Sequence, residues 1–496
     1  MHLRFKIVVM VSHDQQNYFL ILLSISLAIF MGSLDGTIVN IAIPSISESF
    51  SLSTAAVSWV STIYLLVMAG CVLIFGKISD IIGFKRIFLT GFVIFTLGSF
   101  TCGVLPDLTG SFLTLVGSRA FQGLGGAMLT AIAPAMVNAY IPMEKKGKAM
   151  GFIMTVAALG TAIGPTVGGI LTQYLSWHWI FFINVPVGII AVIVGKRFIP
   201  ALAPSAPDGS FDRTGAVLIF SGLAFLLFGM SEGDSIGWTS PIIAGSLVLA
   251  IVLLALFVRT ELQVRSPLLE LRLFKDKNFF CLNLIMALLF FGFSGISYLL
   301  PFYLKYVGEY NTSTSGLILT SLSFAMMITG LLAGSLYTKI GGRRIAIAGA
   351  VLLLIGYFLI LQLKVNTTLW YVVLCLAMIG FGLGFMMTPI SSMIMSSVAK
   401  QYQGMASSLT SLERFAPLTI GIAVFNAIFI KGMIAIATEY GVTRSAPIYV
   451  QQKVLTAGFD LTFCVTFIFG VLVLILTFLV REKVHPDYLV ESVDPR

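Results

Sequence analysis

The chain has 496 residues, of which 58% are hydrophobic and only 10% are charged, and its mean hydropathy is +1.00. Soluble globular proteins carry about 25% charged residues, so this composition excludes a soluble protein and indicates a polytopic membrane protein. The formal net charge is +9, but the basic residues are dispersed among short connections between apolar segments, which argues against nucleic-acid binding. The five cysteines lie in apolar stretches and the four histidines are far apart, so neither a metal site nor a cofactor is expected.

Apolar segments follow one another along almost the whole chain. A helix needs about 20 apolar residues to cross a bilayer, and fourteen segments meet this requirement. We predict membrane-spanning helices at residues 18–43, 54–76, 87–106, 111–140, 147–174, 179–200, 213–231, 241–260, 278–304, 313–338, 343–363, 368–395, 405–430 and 457–480. The predicted fold class is therefore an all-α polytopic membrane protein with 14 transmembrane helices.

The distribution of basic residues predicts the topology. An even number of spans places both termini on the same side of the membrane. If the N-terminus is cytoplasmic, the cytoplasmic connections contain 23 Lys or Arg residues and the outer ones contain five. Cytoplasmic loops are enriched in Lys and Arg, so we expect a multi-pass protein of the plasma membrane with both termini in the cytoplasm.

One short motif occurs twice. "GKISDIIGFKRI" (76–87) follows the second predicted helix, and "GSLYTKIGGRRI" (334–345) follows the tenth. Two six-helix bundles would place these connections at equivalent positions, and parallel repeats of this kind are typical of one large transporter architecture. We therefore predict an N-terminal bundle (1–200), a linker with two inserted central helices (201–277) and a C-terminal bundle with a cytoplasmic tail (278–496).

Several motifs, taken in order, resemble those of one family. "LDGTIVNIAIP", "GKISDIIGFKRIFL", "RAFQGLGGAM", "GTAIGPTVGGIL" and "WHWIFFINVPVGI" are similar to segments of the major facilitator superfamily, and specifically of its fourteen-helix drug:proton antiporter branch, the EmrB/QacA type. The resemblance covers nearly the whole chain, and "FDRTGA" and "GFGLGFMMTP" extend it. It implies a secondary active transporter, not an enzyme, that exports small hydrophobic or cationic compounds by proton antiport with alternating access.

Other functions stay open at this point. The protein is either such a multidrug exporter or a narrow-specificity exporter of a single metabolite, siderophore or antibiotic, and a membrane receptor without transport is a remote alternative. The expected partners are a small-molecule substrate, protons and the lipid bilayer. The resemblance implies a monomer and leaves an accessory efflux subunit open.

Asp35 is the only charged side chain between residues 18 and 43. A carboxylate at bilayer depth costs at least about 2.5–3.5 kcal/mol, so this residue needs a reason to be there. One interpretation is a structural aspartate that local hydroxyls such as Ser33 or Thr37 bind. The other is a protonatable carboxylate, and the resemblance implies a role in proton coupling or in the substrate path. Asn40 belongs to the same motif, but the sequence gives it no clear role.

Arg119 is a second charge inside a predicted span, and an intramembrane cation must face protein or water and find a partner. The resemblance implies that it lines the central cavity and assists proton transfer, although a structural arginine bonded to backbone carbonyls is the alternative. Gln122 lies three residues further on the same helical face, and Gly123 belongs to the same motif.

Glu413 and Arg414 form a further charged pair, near the inner part of the thirteenth predicted helix. Adjacent helical residues point about 100° apart, so the two are not expected to neutralise each other fully. Glu413 is either a second proton or cation site or a helix-end residue that reaches cytoplasmic water. Both residues are candidates for proton coupling or for the substrate path.

The first copy of the repeated motif provides the candidate cytoplasmic gate, because the resemblance implies that this loop controls opening on the cytoplasmic side. The alternative is a solvated basic loop. The gate candidates are Gly76, Asp80, Gly83, Lys85 and Arg86.

Small residues dominate the fifth predicted helix. Glycines spaced by four residues form a smooth face that another helix can approach closely, and a proline weakens the helix. The resemblance identifies this segment as the antiporter motif. Its smooth face serves plain helix packing, the seam that moves during alternating access, or both. Its residues are Gly160, Gly164, Pro165, Gly168 and Gly169.

Overall fold

The computed structural model describes residues 2–141, 143–202, 211–264, 267–399, 403–439 and 447–483. Within these ranges the secondary structure is entirely helical, apart from turns, and contains no strand. The helices are α1 (His2–Ser49), α2 (Thr54–Ile82), α3 (Phe84–Thr109), α4 (Phe112–Tyr140), α5 (Met143–Tyr174), α6 (Trp179–Phe182), α7 (Asn184–Phe198), α8 (Arg213–Ile236), α9 (Pro241–Gln263), α10 (Lys277–Tyr306), α11 (Thr312–Ile340), α12 (Gly342–Ile360), α13 (Leu369–Ser396), α14 (Gln403–Glu439) and α15 (Ile448–Leu479). A short 3-10 helix, Leu271–Lys275, precedes α10.

The number of membrane spans agrees with the prediction. In the described part of the chain, 14 helical segments are long and apolar enough to cross a membrane. The short α6 and α7 together form one of them, Trp179–Phe198, with a break at Ile183. Helices are the expected solution because lipid offers no hydrogen-bond partners, so each backbone group must be satisfied within its own segment. The chain is a multi-pass membrane protein.

The helices pack as two bundles. Helices α1–α7 form the N-terminal bundle and α10–α15 form the C-terminal bundle. The bundles meet along two seams, one between α5 and α11 and the other between α2 and α14. A cavity between these seams is therefore bounded by both bundles.

The repeated motif adopts the same backbone conformation in both bundles. Gly83 lies between α2 and α3 with φ 91° and ψ 148°, and Gly341 lies between α11 and α12 with φ 83° and ψ 147°. Residues that carry a Cβ rarely adopt a positive φ of this kind. Glycine is therefore needed at both corners for the chain to turn directly from one span into the next.

The basic residues after these corners make equivalent contacts. Lys85 Nζ donates to the carbonyl of Lys196 in the last turn of α7, at 3.1 Å. Arg343 donates to the carbonyl of Phe478 near the end of α15, at 2.7 Å. Cations stabilise the carbonyl-rich C-terminus of a helix. Because donor and acceptor lie on different helices, each contact joins the third and sixth spans of its own bundle.

The hairpin of α8 and α9 lies against one seam. Apolar side chains of α8 pack on α2, and side chains of α14 border the same cluster. Trp59 Nε1 donates to Glu232 Oε1 at 2.8 Å, which joins α2 to α8. Among the fourteen spans α9 has the smallest buried share, and it packs mainly on α8. The hairpin therefore covers the α2–α14 seam, with α9 on the outside.

Candidate functional site

A cavity of about 270 Å³ lies between the two bundles. Helices α1, α2, α4 and α5 form one wall, and α10, α11, α13 and α14 form the other. This volume is close to the lower end of the range for small-molecule sites. Three charged side chains line the cavity, namely Asp35, Arg119 and Arg414.

Asp35 is the centre of a buried polar cluster. Its Oδ2 accepts from Arg119 Nη1 at 2.8 Å, and its Oδ1 accepts from Gln122 Nε2 at 2.9 Å and from Asn184 Nδ2 at 3.1 Å. Asp35 and Arg119 are 0% and 1% exposed. A buried charge is tolerated when it is paired and hydrogen-bonded, and the Asp35 carboxylate meets both conditions.

Local hydroxyl groups do not hold the carboxylate. The Thr37 hydroxyl donates to the carbonyls of Ser33 and Leu34, each at 3.2 Å. This back-bonding is usual for threonine inside a helix, because the carbonyl groups of the preceding turn are the nearest acceptors. The interpretation of Asp35 as a residue held by local hydroxyls is therefore wrong.

Arg119 connects four spans of the N-terminal bundle. Besides the carboxylate, it donates from Nε to the carbonyl of Val60 at 3.0 Å and from Nη1 to Gln122 Oε1 at 2.5 Å. Its guanidinium carbon lies 4.1 Å from the ring centroid of Tyr64 and 5.6 Å from that of Phe181, distances typical of cation–π contacts. The cluster therefore joins α1, α2, α4 and the span formed by α6 and α7.

Sequence reasoning missed Asn184 as a member of this cluster. A signal was present, because an amide inside an apolar span needs a hydrogen-bond partner for the same reason that Asp35 does. Gly123 contributes through its size, since a Cβ there would lie 3.1 Å from the carbonyl of Tyr64. The lack of a side chain at Gly123 lets α2 and α4 approach closely around the cluster.

Asn40 forms a polar link between the bundles. Its Nδ2 donates to Ser297 Oγ on α10 at 3.0 Å, and its Oδ1 accepts from Ser61 Oγ at 3.5 Å. All three residues line the cavity. The motif residue without an assigned role thus contacts the opposite bundle directly.

Glu413 and Arg414 point to different environments. Arg414 is exposed and lines the cavity, with its guanidinium carbon 5.8 Å from the ring centroids of Phe290 and Phe415. Glu413 is buried and is not among the lining residues, and its Oε2 has no hydrogen-bond partner in the described part of the chain. The structure therefore brings Arg414, and not Glu413, to the site.

The glycine face of α5 packs within its own bundle. Gly160, Gly164 and Gly168 all face α1, and a Cβ added to Gly168 would lie 2.7 Å from the carbonyl of Ile38. Residues spaced by four lie on one side of a helix, and that side faces α1. Of the two interpretations, these three glycines agree with plain helix packing inside one bundle.

Two other residues of the motif do lie at the seam. A Cβ added to Gly169 would lie 2.7 Å from the carbonyl of Thr312 at the start of α11. The carbonyl of Pro165 in turn approaches Gly316 so closely that a Cβ on this glycine would clash with it. These positions are rotated from the α1-facing side of α5, so the motif serves two interfaces at once.

The candidate gate residues also differ in the bundle that they contact. A Cβ added to Gly76 would lie 3.3 Å from Ser408 Oγ of α14, so this glycine is next to the opposite bundle. Lys85 bonds within its own bundle, as described above, and Arg86 is exposed. The side chain of Asp80 lies outside the described residues.

Contacts between the bundles are frequent where α1 ends and α2 begins. Glu48 accepts from Lys305 Nζ at 2.6 Å and from the Tyr306 hydroxyl at 3.2 Å. The other bonds at or near this end join Ser313 N to Gln173 Oε1 at 2.8 Å, the hydroxyls of Thr166 and Thr320 at 2.6 Å, and the Tyr298 hydroxyl to the carbonyl of Thr54. We call this the closed end of the molecule.

Known proteins are similar to this chain in sequence and in fold. The model of the Major Facilitator Superfamily matches residues 25–422. The riboflavin transporter RibZ of Clostridioides difficile (strain 630) is 34% identical over 414 residues, covering 84% of this chain and 89% of that protein. The multidrug resistance protein Stp of Mycobacterium tuberculosis (strain CDC 1551 / Oshkosh) is 32% identical over 437 residues, covering 88% and 80%. A bacterial homologue of the human lysosomal transporter Spinster, in an inward-facing and unoccupied conformation, shares the fold with a TM-score of 0.64 at 18% identity, over 93% of this chain and 96% of that chain.

Proposed function

Because the chain belongs to the Major Facilitator Superfamily and is a transporter rather than an enzyme, we propose that it exports small hydrophobic compounds in exchange for protons. The observation that carries this proposal is the Asp35–Arg119 pair in the wall of a cavity between two bundles. Alternating access moves two bundles around such a central site. The multidrug resistance protein among the relatives supports a broad substrate range.

Asp35 is the proposed proton carrier. An ionised carboxylate only accepts hydrogen bonds, whereas a protonated one also donates, and all three described partners of Asp35 are donors. A proton on Asp35 would remove the charge that Arg119 compensates and weaken the contact between α1 and α4. Because α1 also contacts α10 through Asn40, this change would reach the interface between the bundles.

The direction of transport follows from the proposed topology. We place the protein in the plasma membrane with both termini in the cytoplasm, so that the closed end faces outward. The lining residues Pro134 of α4 and Ile153 of α5 lie towards the opposite end, and substrate would enter there. The gate motif of Gly76, Asp80, Gly83, Lys85 and Arg86 would control this entrance. The working unit is proposed to be a monomer, and an accessory efflux subunit would be an additional partner.

The pairing of Asp35 with Arg119 bears on the charge of the substrate. The resemblance implies hydrophobic or cationic substrates, and attraction of a cation requires a free carboxylate in the cavity. Asp35 is instead paired with Arg119 and satisfied by two amides. Hydrophobicity is therefore the property that the cavity supports most directly.

A narrow-specificity transporter is the second candidate. The relative named as a riboflavin transporter covers most of this chain, so a single metabolite is a realistic substrate. In that case Asp35 and Arg119 would keep the same coupling role, and only the range of substrates would differ.

Substrate-induced proton release tests the function. Inverted membrane vesicles would be energised to an acidic interior, with acridine orange as the reporter of the pH gradient. Riboflavin, ethidium and phenylnaphthylamine would then be added in turn. We expect at least one compound to dissipate part of the gradient with the wild type, and Asp35→Asn to abolish this response.

Two further variants make the result specific. Asp107→Asn changes an aspartate whose side chain is 69% exposed, and it should respond like the wild type. Glu413→Gln separates the two candidate proton carriers and should also keep the response. Proton release that persists in Asp35→Asn would contradict the coupling role, and release by riboflavin alone would favour the narrow-specificity candidate.

A further inference from the structure

The charge of the C-terminal wall of the cavity comes from one side chain. Among the lining residues of α10, α11, α13 and α14, Arg414 alone is charged. No carboxylate in the described part of the chain lies within ion-pair distance of it, and its neighbour Glu413 is buried away from the cavity. A guanidinium group stays protonated in proteins, so this positive charge is permanent.

The opposite wall does not compensate this charge. Asp35 and Arg119 are paired at 2.8 Å and contribute no net charge together. The cavity as described therefore carries one uncompensated positive charge. In a site of low dielectric, such a charge favours an anion and disfavours a cation.

The surroundings of Arg414 indicate what the rest of a ligand should be. The rings of Phe290 and Phe415 lie at 5.8 Å from its guanidinium carbon, and Tyr64 and Tyr298 line the same cavity. Methionine side chains complete the apolar lining, and these adapt to ligands of different shape. The methionines concerned are Met68, Met326 and Met387.

We propose that Arg414 binds an acidic substituent of the substrate, and that the transported compounds are aromatic organic anions. The planar guanidinium offers up to five N–H donors, which match a carboxylate, sulfonate or phosphate group. The aromatic rings and methionines hold the apolar part of the same molecule. This inference rests on the proposed function, because it takes the cavity as the substrate site.

Equilibrium binding tests the inference without a proton gradient. The full-length protein in lipid nanodiscs would be titrated with anilinonaphthalene sulfonate and with phenylnaphthylamine, which has the same rings without the acidic group. Empty nanodiscs correct for binding to lipid. We expect the wild type to bind the sulfonate about tenfold or more tightly than the neutral compound, because a hydrogen bond to a charged group contributes this much.

Variants assign the preference to one side chain. Arg414→Gln should lose the preference for the sulfonate and should bind the neutral compound within about twofold of the wild type, which also shows that the cavity is intact. Arg344→Gln removes an exposed arginine at the start of α12 and should keep the preference. A wild type that binds both compounds equally or binds neither overturns the inference, whether or not Arg414→Gln folds.

The two proposals can fail separately. If Arg414→Gln keeps the wild-type preference, the anion site is wrong even when Asp35-dependent proton release is observed. If the preference depends on Arg414 but neither anilinonaphthalene sulfonate nor the three compounds of the vesicle assay release protons, the anion site stands and the proposed antiport fails.

Discussion

On the wall formed by α1 and α4, Asp35 and Arg119 are buried and paired at 2.8 Å, whereas on the opposite wall Arg414 is exposed and has no carboxylate partner among the described residues. The first two charges therefore satisfy each other within the protein. The third has unused donors and can only be satisfied by water or by a ligand. This contrast is the basis for proposing proton coupling in the N-terminal bundle and substrate recognition in the C-terminal bundle.

The largest expected effect is the difference in stability between variants of Arg119 and Arg414. Arg119→Met leaves the buried Asp35 carboxylate without its cation, and breaking a buried pair in this way costs about 3–5 kcal/mol. Arg414→Met removes a charge without an ion-pair partner and should change stability by no more than about 0.5 kcal/mol. Thermal unfolding of both variants in one detergent measures the contrast, and equal destabilisation would show that Arg414 is also a structural residue.

A smaller effect is expected for Asn184, which supplies one of three donors to Asp35. Asn184→Ala removes a hydrogen bond to a charged group and should cost about 1.5–3 kcal/mol. Asn366→Ala, at an exposed position between α12 and α13, is the matched control and should unfold like the wild type. Unchanged unfolding of Asn184→Ala would mean that Arg119 and Gln122 alone satisfy the carboxylate.

The hydrogen bond between Asn40 and Ser297, which joins the two walls, should contribute still less to stability. Ser297→Ala removes the acceptor of the Asn40 amide, and a neutral hydrogen bond contributes about 0.5–1.5 kcal/mol. Because this bond joins the bundles, its loss should increase the population that opens at the closed end. Spin-label distances across that end would report the change. Ser321→Ala removes a hydroxyl that bonds within its own helix and should leave the distances unchanged.

The smallest effect concerns the ion pair at the closed end. Glu48 and Lys305 side chains are 54% and 24% exposed, and such pairs contribute about 0.2–1 kcal/mol. Glu48→Gln should therefore shift the same distances slightly at low salt, and the difference should disappear at high salt. Glu439→Gln, at an exposed position at the end of α14, controls for charge. A large shift that persists at high salt would contradict this weak role.

The sequence predicted the features that the membrane dictates. Bilayer thickness fixes the length of a span, so hydropathy was sufficient to find all fourteen. The repeated corner was also predictable, because only glycine readily adopts the φ values observed at Gly83 and Gly341. These features depend on local chain geometry or on the solvent, and they need no knowledge of tertiary contacts.

The pairing of the candidate site residues was not predictable in the same way. Asp35 and Arg119 were each recognised as a charge that requires a partner, but 84 residues separate them, and only helix packing brings them together. The spacing of Gly160, Gly164 and Gly168 defined a smooth face without identifying the helix that it meets. The divergence of Glu413 and Arg414 followed from helix geometry, but which of them faces the cavity depends on the rotation of α14.

The α8–α9 hairpin makes the lipid-facing surface of the protein different at the two seams. It contacts α2 of one bundle and α14 of the other, so any rotation between the bundles must carry it with one of them and displace it along the other. The α5–α11 seam has no helical hairpin of this kind against it in the described part of the chain. Annular lipids therefore face the hairpin on one side and α5 and α11 themselves on the other, and the motion would disturb these two groups of lipids differently.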